Sequence, residues 1–103
     1  MEHFNGLSPA EEEALSILAE EAAEVIQAVT KIQRYGVASV HPDTNVSNQH
    51  HLEKEVGDLL AALRIIKRYG FVRWFTVIQA RNEKMSRLPR WTHHIDWERV
   101  HGQ

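Results

Sequence analysis

The sequence predicts an all-α fold, an antiparallel helical bundle, on three observations. Apolar residues recur at 3.6-residue spacing over long stretches, cap signals bracket those stretches, and the turn between the second and third stretches is short. At 103 residues the chain has room for one small domain, read as 1–103 with a core over about 8–88 and a tail or arm over 89–103. A core of that size is modest, and short helical chains of this kind stabilise themselves by association. Self-association is therefore expected.

The first helix opens at Ser8-Pro9-Ala10-Glu11, where Ser8 suits the cap, Pro9 the first helical position and Glu11 a capping box. Its apolar set is Leu15, Leu18, Ala22, Val25, Ile26, Val29 and Ile32, and Tyr35-Gly36 ends it, with Gly36 expected in a left-handed cap. Residues 36–48 read as a loop, with Ser47 or Asn48 capping the next helix. That helix carries Leu52, Val56, Leu59, Leu63 and Ile66 and stops at Tyr69-Gly70. A third is expected from near Phe71, using Trp74, Phe75, Ile78, Met85 and Leu88, and ending before Pro89. The short second turn makes helices two and three antiparallel neighbours. Arg90–Gln103 has no clear period and reads as a short helix or an arm.

Composition excludes several function classes. The absence of cysteine rules out disulfides and thiolate metal sites. No run approaches the roughly 18 apolar residues that span a bilayer, and the start Met-Glu-His-Phe-Asn lacks a signal-peptide pattern, so a cytoplasmic protein without a membrane partner is expected. Net charge is −2, but the charges are segregated: residues 1–60 hold 11 of the 14 acids, and residues 61–103 hold nine of the 12 bases. The segregation reads either as two differently solvated surfaces or as a cation site in the first half and an anion site in the second, as a metal–phosphate substrate would require. The bases Arg64, Lys67, Arg68 and Arg73 are interleaved with apolar residues and form no single stripe, so stable nucleic-acid binding is not expected. The seven histidines include the adjacent pairs His50-His51 and His93-His94, show no i,i+4 zinc spacing, and read as surface residues.

The informative residues are acids on apolar faces. At about 100° per residue, Glu55 projects between Ala62 and Ile66, inside the stripe of the second helix, whereas Glu53, Lys54, Gly57, Arg64 and Arg68 share the solvent side. Asp58 lies at the stripe's edge, Glu21 borders the core of the first helix and Glu24 lies further round; Glu20 falls on the solvated side near Glu13, Gln27 and Lys31. Glu20, Glu21, Glu24 and Glu55 find no base three or four residues away, and Asp58 finds only Lys54. Burying unpaired carboxylates costs several kcal/mol each unless a cation neutralises them. A hard divalent ion, Mg²⁺ with Mn²⁺ as a substitute, matches that donor set. Gly57, costly inside a helix, is expected to be offset by close packing.

Glu20-Glu21-Ala22-Ala23-Glu24 followed by Glu55-Val56-Gly57-Asp58 resembles the acidic signature of the MazG-like, all-α nucleoside triphosphate pyrophosphohydrolases, and Lys84-Met85-Ser86-Arg87 resembles that family's neighbourhood after the third helix. The likeness covers roughly residues 15–88. It implies a four-helix active-site unit completed by oligomerisation to a homodimer or homotetramer, and Mg²⁺ held by Glu21, Glu24, Glu55 and Asp58. It further implies hydrolysis of (d)NTPs between the α and β phosphates, in the manner of nucleotide-pool house-cleaning. Glu20, or Glu24, is the expected acceptor of the attacking water's proton. Lys84 and Arg87, with Asn82 and Arg81, are expected to hold the outgoing phosphates. Trp74 and Trp91 read as packing residues. Rival readings are a relative with one dedicated substrate (phosphoribosyl-ATP or dUTP) and a catalytically silent helical module for oligomerisation or binding. The 36–48 loop and the tail match nothing in the family pattern, and substrate preference is expected there.

Overall fold

The computed structural model describes residues 4–102; Met1–His3, which carry part of the expected start without a signal-peptide pattern, and Gln103 lie outside the described residues. Four helices follow one another: α1 (Pro9–Tyr35), α2 (Asn48–Arg68), α3 (Trp74–Trp91) and α4 (Trp97–His101). The fold is all-α, and the described residues contain no strand, only an isolated bridge between Val40 and Ser47. None of the helices is long and apolar enough to cross a membrane. The chain divides into two compact units, Met1–Phe71 and Val72–Gln103.

In the first unit the cap chemistry sets the helix ends. Ser8 Oγ accepts from Glu11 N at 3.2 Å while Ser8 N donates to Glu11 Oε1 at 2.8 Å, a complete capping box. Gly36 closes α1 at φ 89°, ψ 165°, a positive φ but not the left-handed helical cap expected from sequence. Between the helices the chain makes a tight excursion: His41 N donates to Val46 O and Asn45 N to His41 O, with Asn45 at φ 59°. Asparagine tolerates that region better than most side chains. Ser47 caps α2 by accepting from His50 N at 3.1 Å. The buried Asn48 ties the two helices together, its Nδ2 donating to Gly36 O at 3.0 Å and Lys31 O at 3.4 Å. At the far end, Gly70 N donates to Lys67 O and Phe71 N to Ile66 O, with Gly70 at φ 79°, the paired bonds of a Schellman ending.

α1 and α2 run antiparallel. Lys31 meets Asn48 near the loop, whereas the earlier Glu21 and Glu24 meet the later Glu55 and Asp58. The seam has small residues at its ends: Ala14 and Ala28 on α1, and Ala62 with Ile66 on α2, are buried. Ala14, Glu21 and Ala28 recur every seventh position, as do Asn48, Glu55 and Ala62, which places two glutamates midway along the contact. The apolar set expected for the core is only partly used. Ile26, Val29 and Val56 are exposed, because the alanine seam lies beside the centre of the larger stripe. Gly57 is also not explained by packing: a Cβ there would meet nothing within 4 Å.

The second unit departs further from expectation. α3 begins at Trp74, three residues later than expected, because Phe71 N–H is engaged in ending α2 and Gly70 turns the chain with positive φ. Pro89 lies inside α3 instead of beyond it. Proline removes one backbone donor there, and the turn continues to Trp91, closed by Thr92 N donating to Leu88 O at 3.0 Å. No residue of α3 is buried: Phe75 is 81% exposed and Trp91 76%, so neither the stripe nor Trp91 forms a core within this unit. In the tail, Asp96 caps α4 by accepting from Arg99 N, and Trp97 Nε1 donates to Thr92 Oγ1 at 3.0 Å.

Candidate metal and nucleotide site

Glu21, Glu24, Glu55 and Asp58 each offer a carboxylate oxygen, and these four atoms lie within 4.8 Å of one another. Antiparallel pairing produces this. The i,i+3 spacing on each helix puts two acids on one face, and the alanine seam brings the two faces together. Glu55 is the most deeply placed, at 4% exposure, and Glu21 and Asp58 are half-buried. One oxygen of Glu21 and one of Glu55, both Oε2, are buried with no hydrogen-bond partner.

The remaining contacts show how strongly this cluster demands cations. Lys54 Nζ reaches Asp58 Oδ2 at 2.7 Å and Glu55 Oε1 at 3.4 Å, and these bonds raise its pKa above the usual lysine range. His51 Nε2 lies 3.4 Å from Glu55 Oε1, one helical turn away. Sequence reading gave Glu55 no base at helical spacing and placed the histidines at the surface. His51 corrects both, being half-buried and four residues before Glu55. The signal was present as an i,i+4 offset, hidden because imidazole was weighed only as a zinc ligand. Glu24 is pushed up from 4.5 to about 7, first by its hydrogen bond with Glu55 and then by the negative charges of Glu21 and Glu55. Glu55 is held below its ordinary value by the same hydrogen bond, with Lys54 adding to it against the cost of burial. Two carboxylates that share a proton, with others close by, form a site short of positive charge.

Two orphaned buried oxygens within an all-carboxylate cluster fit a hard divalent ion, which takes oxygen ligands and keeps some of its waters. The donor set contains no sulfur or nitrogen.

The other expected site residues fall elsewhere. Glu20 is exposed and outside the four-carboxylate cluster. On α3, Arg81, Asn82, Lys84 and Arg87 are all exposed. Arg81 donates to Asn82 Oδ1 through Nε at 3.3 Å and Nη2 at 3.0 Å, and Asn82 lines a pocket on α3 together with Phe75 and Ile78. No ion pair among the described residues engages Lys84 or Arg87.

The model of the MazG nucleotide pyrophosphohydrolase domain matches residues 10–92, which include both acidic motifs and the Lys84–Arg87 segment. Comparison with curated proteins and with solved structures gives no match.

Proposed function

The chain belongs to the MazG nucleotide pyrophosphohydrolase family, and from that premise we propose that it hydrolyses (deoxy)nucleoside triphosphates to monophosphate and pyrophosphate with Mg²⁺, or Mn²⁺ in its place. The observation that carries this reading is the four-carboxylate cluster with buried Glu55 at its centre. The family match runs across both compact units, which supports treating 1–103 as one MazG-like domain. The open apolar surface of α3 supports a homo-oligomer. A cytoplasmic, house-cleaning role follows as part of the same proposal.

In this mechanism Glu21, Glu24, Glu55 and Asp58 hold the metal. Bound there, the metal supplies charge neutralisation for the phosphates and lowers the pKa of the attacking water. Glu20, adjacent to Glu21 and open to solvent, takes the proton from that water, with Glu24 as the alternative acceptor. Lys54, already bonded to Asp58, balances the charge of the cluster from the loop side. Lys84 and Arg87, assisted by Arg81 and Asn82, receive the departing pyrophosphate through charge-assisted hydrogen bonds.

The test is pyrophosphate release from a panel of canonical and modified (d)NTPs, together with phosphoribosyl-ATP, with and without Mg²⁺. Metal-dependent release is expected, lowered at least about a hundredfold in Glu55→Gln. Release that ignores Mg²⁺, or full activity in Glu55→Gln, would contradict the proposal. Exclusive use of one substrate would identify a dedicated relative.

A further inference from the structure

Beside the carboxylate cluster the first unit holds a cavity of about 400 Å³, walled by Lys31, His41, Val46, His50, His51 and Lys54, and none of its lining residues is acidic. Its polar wall is rich in donors. No ion pair among the described residues engages the Lys31 ammonium. His41 Nδ1 accepts from Asp43 N at 3.1 Å, which leaves the ring proton on Nε2. The first turn of α2 contributes to the rim and carries no acid, although its N–H groups are already taken by Ser39 O, Val37 O and Ser47. Its side chains, not free backbone donors, must therefore do the binding. His51 and Lys54 line this cavity and also contact Glu55 Oε1, so the cavity and the cluster share a wall.

We infer that this cavity is an anion subsite that takes a phosphate group, held by Lys31 and the imidazole Nε2–H of His41, with His51 and Lys54 between it and the carboxylates. The identity of its occupant rests on the nucleotide pyrophosphohydrolase reading; its anion chemistry does not. The phosphate can come from a bound nucleoside triphosphate or from released pyrophosphate, and both present the same oxyanion. A donor-walled pocket against an acidic cluster arranges the charges as a metal–polyphosphate needs them: negative side chains for the metal, positive ones for the phosphate that extends past it.

The experiment titrates inorganic pyrophosphate into the full chain with a chelator present, by calorimetry and by the ring resonances of His41 and His51. In parallel it measures kcat and KM on the best nucleotide with Mg²⁺. Lys31→Ala is compared with Arg34→Ala, which removes the same charge outside the cavity; both variants are checked for an unchanged helical spectrum. Lys31→Ala is expected to weaken pyrophosphate and raise KM by about tenfold or more, the loss of one charged hydrogen bond, with kcat little changed and Arg34→Ala near wild type. Equal behaviour of the two variants in both assays would overturn the inference. Lys31-dependent pyrophosphate binding in a protein that hydrolyses no nucleotide would leave the subsite standing and sink the hydrolase reading alone. Nucleotide hydrolysis with Lys31-independent binding and KM would sink the subsite alone.

Discussion

The α1–α2 hairpin and the Val72–Gln103 unit spend their apolar residues in opposite ways. The hairpin buries alanines at a close seam and, between them, a glutamate at 4% exposure. The second unit buries none of its described residues and leaves Phe75 and Trp91 largely open. The difference teaches that burial here follows helix pairing more than hydrophobicity. A chain optimised for its core alone would place leucine where Glu55 sits, and would cover Phe75 first. The hairpin instead accepts charge in its seam, which is tolerable because small flanking residues let the helices approach and cations gather round the acids.

The largest expected effect that separates the two regions comes from changing their apolar surfaces. Ala28→Leu forces extra methylenes into a seam with no exposure and should cost about 1–3 kcal/mol in denaturant unfolding. Phe75→Ser, on α3, should change the unfolding of the isolated chain by less than about 0.5 kcal/mol while weakening self-association measured by sedimentation. Equal destabilisation by both would erase the contrast drawn here.

Next in size is Gly57→Ala on α2. Since an added Cβ meets nothing within 4 Å, and the backbone is ordinary helix, the change should stabilise by up to about 1 kcal/mol. Destabilisation would show that this turn must flex or admit a ligand closely.

The smallest effect is a slope with pH, reduced because Glu24 is not fully buried and its charge is partly screened. Glu24 titrates near 7 in the folded chain against an ordinary 4.5, so between those values the folded state keeps a proton that the unfolded state has released. Metal-free stability therefore falls as pH rises through that window and levels off above it. Glu55, held below 4.5, changes only at lower pH. With chelator present, Tm should be higher at about pH 5 than at about pH 8, and Mg²⁺ should raise Tm more at the higher pH, where Glu24 is free of its proton. The reverse order would contradict the shared-proton picture.

Legibility in the sequence followed the range of the interaction. Local chemistry was readable: Ser8 with Glu11, Ser47 and Gly70 mark real helix ends. Rotation about one helix axis was enough to find Glu55 inside the apolar stripe and Glu20 outside it. What was missed depended on a second element or on competition between neighbours. Ala62 is legible in the stripe beside Glu55, but its use with Ala14 and Ala28 as a close seam is invisible until α1 and α2 are paired, because alanine carries little weight in a hydrophobic stripe. The start of α3 was misplaced because the apolar period continued through Phe71, whose N–H the end of α2 had already taken. Pro89 reads as a stop in the sequence, yet only one donor is lost near the helix end and α3 runs on to Trp91. His51 as a partner of Glu55 is hidden when only lysine and arginine are counted as bases.

The account stands on the carboxylates of α1 and α2 sharing one divalent ion, and direct Mn²⁺ binding, followed by electron paramagnetic resonance at fixed protein concentration, tests it most directly. Wild type should take up Mn²⁺ stoichiometrically and release it to Mg²⁺, while Glu24→Gln and Glu55→Gln should each weaken uptake at least about tenfold with the helical spectrum intact. Uptake that survives both substitutions, or no uptake by the wild type, would contradict it.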